Sequence, residues 1–294
     1  MADLLRLVES LQQQPVAANG KSPLAELGFI ACAQTVTIKH VPFFEPCLLL
    51  ILAGRKSLFD AGAALHAEAG ELFAVPGPSS FDMRNEPDVR SRKYRALVIP
   101  FSYEHLQDVR TMHTLAAAPH AGGPLKFARD AVRDDAIAHY LHSLDDKRLR
   151  VHRLLEILLI LATGDPRLLA LAQAQAAWSQ RVRSLIATDL ARTWDIADVC
   201  KQLATSESSL RRHLKREHTG FRELLNELRL SSALTQLLQT SQPIYQVAYD
   251  CGYQSVSRFS NNFHKRFGLP PRDLREAVTG SEQNLALSER SVLS

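Results

Sequence analysis

The stretch from Pro243 to Pro271, PIYQVAYDCGYQSVSRFSNNFHKRFGLPP, decides how the rest of this chain is read. Ile244, Val247, Ala248 and Cys251 recur at i, i+3, i+4 and i+7, which is one apolar face of a helix. Pro243 suits the first turn of that helix. Gly252 follows where a turn wants a positive φ, and Phe259, Phe263 and Phe267 then recur every fourth residue along a second helix. The polar side chains Ser255, Ser257, Arg258, Asn261, Asn262 and Lys265 fall away from that phenylalanine stripe.

The same pattern occurs once more, upstream. In Asp195–Lys215, Ile196, Val199, Cys200 and Leu203 hold the same spacing, Thr205-Ser206-Glu207 makes the turn, and Leu210 and Leu214 continue the apolar face. Asp195 suits an N-cap. Ser208, Ser209, Arg211, Arg212 and Lys215 face away from the apolar side. Arg, Asn and Ser are side chains that reach base edges and phosphates in a major groove. Between the copies runs a predicted helix, Phe221–Thr240, about 30 Å long. That nearly matches the roughly 34 Å between successive major-groove faces on one side of a duplex. Two helix-turn-helix units at this spacing point to binding of double-stranded DNA.

Charge agrees with that placement. Residues 178–275 carry 15 Lys and Arg against 9 Asp and Glu, so this third of the chain holds all of the positive excess of a protein whose net charge is +4. Elsewhere composition mainly excludes. A 294-residue chain that is 46% hydrophobic is long and apolar enough for two domains, and neither disordered nor fibrous. Its longest apolar runs, Pro46–Gly54 and Ile157–Gly164, are too short to span a membrane. The N-terminus lacks a secretory h-region, and Cys32, Cys47, Cys200 and Cys251 are dispersed, so a reducing cytoplasm is expected.

From about Leu27 to Phe101 the chain is cut into short runs by Gly, Pro, Asp and Asn: Gln34–His40, Cys47–Ala53, Lys56–Phe59, Glu71–Val75 and Tyr94–Ile99. Such runs suggest an all-β barrel or sandwich. Helical period then takes over in Tyr103–Thr111, Leu125–Ser143 and Leu149–Thr163, with Gly164-Asp165-Pro166 as a stop. Leu154, Leu155, Leu158 and Leu159 form a stripe that serves either packing on the barrel or a dimer seam.

The C-terminal third resembles the AraC/XylS family of bacterial transcription regulators. Trp194–Cys200 is similar to that family's first scaffold helix and Ser209–Lys215 to its first recognition helix. Ile244, Val247-Ala248, Cys251-Gly252-Tyr253, Phe259, Phe263, Lys265 and Phe267-Gly268-Leu269-Pro270-Pro271 fill every position of its second unit. The resemblance covers about 100 residues. It implies base reading by Ser208 and Arg212 in the first unit, and by Val256, Ser257 and Asn261 in the second. A homodimer and contact with RNA polymerase are implied as well. More thinly, Gly70–Gly77, Phe43-Phe44-Glu45-Pro46 and Gly54-Arg55-Lys56 resemble the sensor barrels of such regulators. That implies an effector site for which His40, Phe43, Phe44, Phe59, Phe73 and Phe81 are the candidate lining.

The expectation is therefore an α+β protein. A small cupin-like β-barrel with trailing helices precedes an all-α domain of two helix-turn-helix units joined by a long helix. The expected boundaries are 1–123 for the sensor barrel, 124–177 for a helical dimerisation and linker region, 178–276 for the DNA-binding domain and 277–294 for a flexible tail. Control by a small effector in the barrel competes with control by a protein partner docked on it. Catalysis is not expected: there is no Gly-x-Ser-x-Gly, His-Glu-x-x-His or phosphate-binding Gly loop. His40 and His66 fall in separate strands rather than in a His-x-His motif, and His139 and His142 near Asp145 and Asp146 suit a solvated helix face. A barrel enzyme tethered to DNA would need a metal; no metal or cofactor is expected.

Overall fold

Cys47–Ala53, apolar at every position, is a strand buried on both faces in the computed structural model, and the N-terminal part of the chain is organised around it. The structure describes residues 2–13, 27–60, 62–120, 122–173 and 177–278. In chain order these hold α1 (Ala2–Gln13), β1 (Gly28–Cys32), β2 (Val36–Phe43), β3 (Cys47–Ala53), β4 (Arg55–Asp60), β5 (Ala63–Glu68), β6 (Leu72–Val75), β7 (Ser79–Glu86), β8 (Tyr94–Pro100), α2 (Tyr103–Met112), β9 (Leu125–Phe127), α3 (Ala131–His142), α4 (Lys147–Gly164) and a 3-10 segment (Pro166–Gln173). They continue with α5 (Trp178–Ile186), α6 (Ile196–Gln202), α7 (Glu207–Arg216), α8 (Phe221–Gln239), α9 (Ile244–Asp250) and α10 (Val256–Phe267). Gln175–Glu276 forms one compact unit and the residues before it belong to another. The tail expected over 277–294 lies, from residue 279, outside the described residues.

In the first unit the strands form two antiparallel sheets, ordered β1-β8-β3-β6-β9 and β2-β7-β4-β5. β3 lies inside its sheet between β8 and β6, and a strand covered on both faces reads as a continuous apolar run rather than an alternation. Its Leu48, Leu50 and Leu52 join Leu72, Ala74, Leu97 and Ile99 in a core shared with the helices. Leu4 and Val8 of α1, Leu106 and Val109 of α2, Ile137 and Tyr140 of α3, and Ile157 and Leu161 of α4 complete it. Each such leucine or isoleucine contributes about 1.5–3 kcal/mol by leaving water. The opposite face of the sheet, with Leu49, Ile51, Phe73 and Val75, turns toward the second sheet.

One expectation changes. Leu125–Ser143 is not one helix: Leu125–Phe127 pairs with β6, placing Lys126 opposite Phe73, and α3 begins only after Asp130. The Asp130 carboxylate caps α3 by accepting from Val132 N and Arg133 N. The Arg133 side chain, fully buried, then donates to the Ala128 and Gly70 carbonyls at 2.8 Å, pinning the helix to the β5–β6 turn. On α4, Leu154 and Leu158 are 5% and 0% exposed, members of the core. This leaves Leu155 and Leu159 of the four stripe leucines half-buried at the surface, in line with exposed Val151.

Candidate nucleic-acid interface

The second unit is helical throughout and contains the repeat. Each copy is a short scaffold helix, a turn and a recognition helix: α6 with α7, then α9 with α10. The turns are built alike. Thr205 N donates to Cys200 O at 3.0 Å in the first, and Tyr253 N donates to Ala248 O at 2.9 Å in the second. The residue before each donor takes positive φ, Ala204 at 50° and Gly252 at 78°. Side chains start each recognition helix: Ser206 Oγ accepts from Ser209 N and Ser255 Oγ from Arg258 N. Asp195 caps α6 through Asp198 N.

Apolar faces at helical spacing hold these helices together. Leu210 and Leu214 of α7 are buried, as are Phe259, Phe263 and Phe267 of α10, and Tyr253 and the three phenylalanines pack ring against ring in sequence, edge to face or tilted, with centres 4.7–5.6 Å apart. α8 joins the units over 19 residues, about 28 Å. Arg266 of α10 pairs with Glu227 of α8, and Glu217, just past α7, accepts from Trp178 N and Ser179 N at the start of α5.

The structure sorts the residues proposed for DNA. Ser208, Arg211, Arg212 and Lys215 of α7 are exposed, with Ser209 half-buried. Arg211 is tied to Glu207, whereas Arg212 and Lys215 enter no ion pair among the described residues. On α10, Ser257, Arg258, Asn261 and Lys265 are exposed and Val256 half-buried. Ser255 is occupied as the cap, and Asn262 is hydrogen-bonded to the Tyr253 hydroxyl, which also donates to Asn226 at 3.0 Å. Ser257, Asn261 and Lys265 thus stand opposite the Phe stripe.

A groove of about 720 Å³ opens beside this face. Its walls are the segment ahead of α6 (Thr193, Trp194), the N-terminal half of α8 (Arg222, Asn226) and the turn and first part of α10, including Arg258. Arg222 carried no signal in the sequence, because it belongs to neither recognition helix.

In the first unit the proposed lining residues divide. Phe73 and Phe81 are buried, Phe43 packs on Phe81 with ring centres 6.0 Å apart, and Phe44 is half-buried. His40 and Phe59 do not line the barrel. A bulge between Ile38 and Val41 turns His40 outward, where its N–H donates to Asp82 at 2.7 Å, and Phe59 stands on the face of β4 opposite Leu58 with 38% exposure. The inward position of β4 is instead Lys56, fully buried. Its Nζ donates to Asn85 Oδ1 at 2.7 Å, touches Met83 Sδ and lies 5.7 Å from the Tyr94 ring. Asn85 reaches Cys32 on the facing sheet, so this cluster bridges the two sheets. Burial pushes the Lys56 ammonium down to about 8 and the thiols of Cys32 and Cys47 up to about 11 and 12. The Tyr94 hydroxyl is buried with no hydrogen-bond partner among the described residues. Alternation of Lys56 with Leu58 was the available signal. Among the described residues no three His, Cys, Asp or Glu side chains converge as a metal site, and no helix is long and apolar enough to cross a membrane.

Residues 199–277 match a family described as a helix-turn-helix domain. A urease operon transcriptional activator of Escherichia coli is 34% identical over 97 residues, 33% of this chain and 33% of that protein. The TCP pilus virulence regulatory protein of Vibrio cholerae is 32% identical over 101 residues, 34% of this chain and 37% of its own length. The regulator YdeO of E. coli O157:H7 is 31% identical over 155 residues, 51% of this chain and 61% of YdeO. The chain thus spans about a third of the length of the first two relatives. In fold, a substituted ToxT from V. cholerae, described as apo, aligns over 86% of this chain and 97% of its own with TM-score 0.62 and 16% identity. Wild-type ToxT described as bound to unsaturated fatty acid aligns over 86% and 95% with TM-score 0.59 and 17% identity.

Proposed function

Because the C-terminal unit is a helix-turn-helix domain of the AraC type, we propose that the chain is a sequence-specific transcription regulator that places α7 and α10 in successive major grooves of double-stranded DNA. The observation that carries this is the duplicated turn, with equivalent backbone bonds at Thr205 and Tyr253 and exposed cations on the outer face of both recognition helices. Arg212, Ser257 and Asn261 are the base readers; Lys215 and Lys265 neutralise phosphate. The relatives are named as regulators, and no catalytic step is assigned.

The chain acts as a homodimer through the outer face of α4, where Val151, Leu155 and Leu159 follow one another at four-residue spacing, and it presents the DNA-binding unit to RNA polymerase at the promoter. The input is a small molecule with an acidic head and an apolar body, received between the sheets of the first unit. Lys56 is the ammonium that the described contacts place there, bonded to Asn85 and beside Met83 and Tyr94. Binding shifts the population of the DNA-competent state only by as much as it favours that state.

Selection of genomic fragments by the purified chain at about 150 mM salt, followed by sequencing, tests the main reading. Recovered promoters share two short boxes about 10 bp apart. If neither the whole chain nor residues 178–294 enriches a shared element, the reading fails. Octanoate and oleate, added to the chain during a thermal melt, raise its midpoint if the effector assignment holds. A barrel indifferent to both acids, with a protein partner recovered instead, replaces that assignment.

A further inference from the structure

The groove between the two helix-turn-helix units is walled by three arginines, Arg222, Arg229 and Arg258, and by no Asp or Glu among the described residues. Arg229 is used by the fold, donating to the carbonyls of Leu190 and Arg192. Arg222 and Arg258 are not: both are exposed and neither forms an ion pair among the described residues. Folding does not ask for positive charge there. Each sits in the first turn of its helix, α8 after Gly220 and α10 after Ser255, where a cation opposes the helix dipole. Two such placements facing one groove, with Thr193, Asn226 and Gln254 as uncharged hydrogen-bonding neighbours, suit a chain of anionic oxygens. Arg258 also links the groove to the reading face, since its neighbour Ser257 points outward from α10.

We infer that this groove grips the sugar–phosphate backbone where it crosses between the two major-groove contacts, with Arg222 and Arg258 as its phosphate ligands. The inference rests on the DNA-binding reading and adds to it a contact outside both recognition helices. Arg222 reads no base. Its contribution is equal for all sequences, and it sets the register in which α7 and α10 enter their grooves.

The test is Arg222→Gln in the full chain, titrated against a fragment recovered in the genomic selection and against a mixed-sequence duplex of the same length, over a series of salt concentrations. The variant weakens both by the same factor, and the slope of log K against log salt falls by about 0.9 for the phosphate lost. Arg222→Lys recovers most of the slope. Methylphosphonate linkages between the two boxes weaken the wild type more than the variant, which keeps only the Arg258 contact there. An unchanged salt slope, a loss confined to one base pair, or an equal methylphosphonate effect on both proteins overturns the inference while leaving the DNA-binding reading in place. A wild type that binds neither duplex overturns both. Arg222 is exposed and forms no ion pair among the described residues, and its removal relieves an opposed helix dipole, so a thermal midpoint no lower than the wild type's is expected and confirms that the variant is folded.

Discussion

A Cβ on Gly252 would stand 2.5 Å from Nη2 of Arg229, closer than real Cβ atoms approach a neighbour. The same guanidinium donates from Nε to Leu190 O at 3.1 Å and from Nη2 to Arg192 O at 2.9 Å. One side chain of α8 therefore abuts the turn of the second unit and holds the segment leading into the first. The spacing between the two readers depends on this junction as well as on the length of α8.

Gly252→Ala meets both the Arg229 guanidinium and the Leu190 carbonyl, 2.5 Å from the new Cβ, at a φ of 78°. Strain of this kind costs about 1–3 kcal/mol. Chemical denaturation of the full chain should show that loss. A variant as stable as the wild type would mean that the Arg229 junction is loose.

The equivalent turn of the first unit bears the opposite prediction. Ala204 is held at φ 50°, a conformation that costs an L-residue about 1–2 kcal/mol. Ala204→Gly relieves it and raises the unfolding midpoint, after the entropy glycine adds to the unfolded chain is subtracted. A lowered midpoint would place the turn of the first unit in another conformation.

Lys56 makes stability depend on pH in a stated direction. Its folded value of about 8 lies below the 10.5 of an exposed lysine, so the unfolded chain binds more protons between them. The lysine therefore destabilises the fold most below pH 8, and this penalty lifts as pH rises. Above about pH 9 the buried thiols of Cys32 and Cys47 act the other way, because they ionise only after unfolding. Lys56→Met isolates the lysine: it raises the melting temperature at neutral pH, and its advantage over the wild type shrinks between pH 8 and 10. An advantage that does not change with pH would show that Lys56 holds its proton in the fold as firmly as in the unfolded chain.

Arg212→Ala and Lys265→Gln should fail differently. Loss of Arg212 relaxes preference at one base pair by about 1–3 kcal/mol, whereas loss of Lys265 weakens all sequences alike and flattens the salt dependence. Competition binding against single-base variants of a recovered site separates the two. Equal losses on every sequence for Arg212→Ala would make it a phosphate contact.

On α4, Val151→Glu puts a charge on the exposed outer face, at a position outside the core cluster. Sedimentation of this variant should show monomer where the wild type shows dimer, with the melting temperature little changed. A dimer that persists would move the interface elsewhere.

The helix-turn-helix units were legible because their contacts are local. The i, i+4 faces of Leu210 and Leu214, or of Phe259 and Phe263, and a turn closed by a bond from Tyr253 to Ala248, are all visible in a few neighbouring residues. The groove was less so. Arg222 lies outside either recognition helix, and only the packing of α8 brings it opposite Arg258.

In the first unit, local pattern was enough to mark short strands, Cys47–Ala53 among them, ahead of the helices from Tyr103 onward. Which side chains meet inside depends on packing. Alternation marks two faces of a strand without saying which is inward, and one extra residue in the bulge before Val41 turns His40 outward although Ile38 points in. Lys56 acquires its meaning from Met83 and Asn85 on β7 and Tyr94 on β8, strands far along the chain that only sheet pairing and packing bring to it. Leu125–Phe127 likewise became a strand because the edge of β6 offered backbone partners that no local pattern announces.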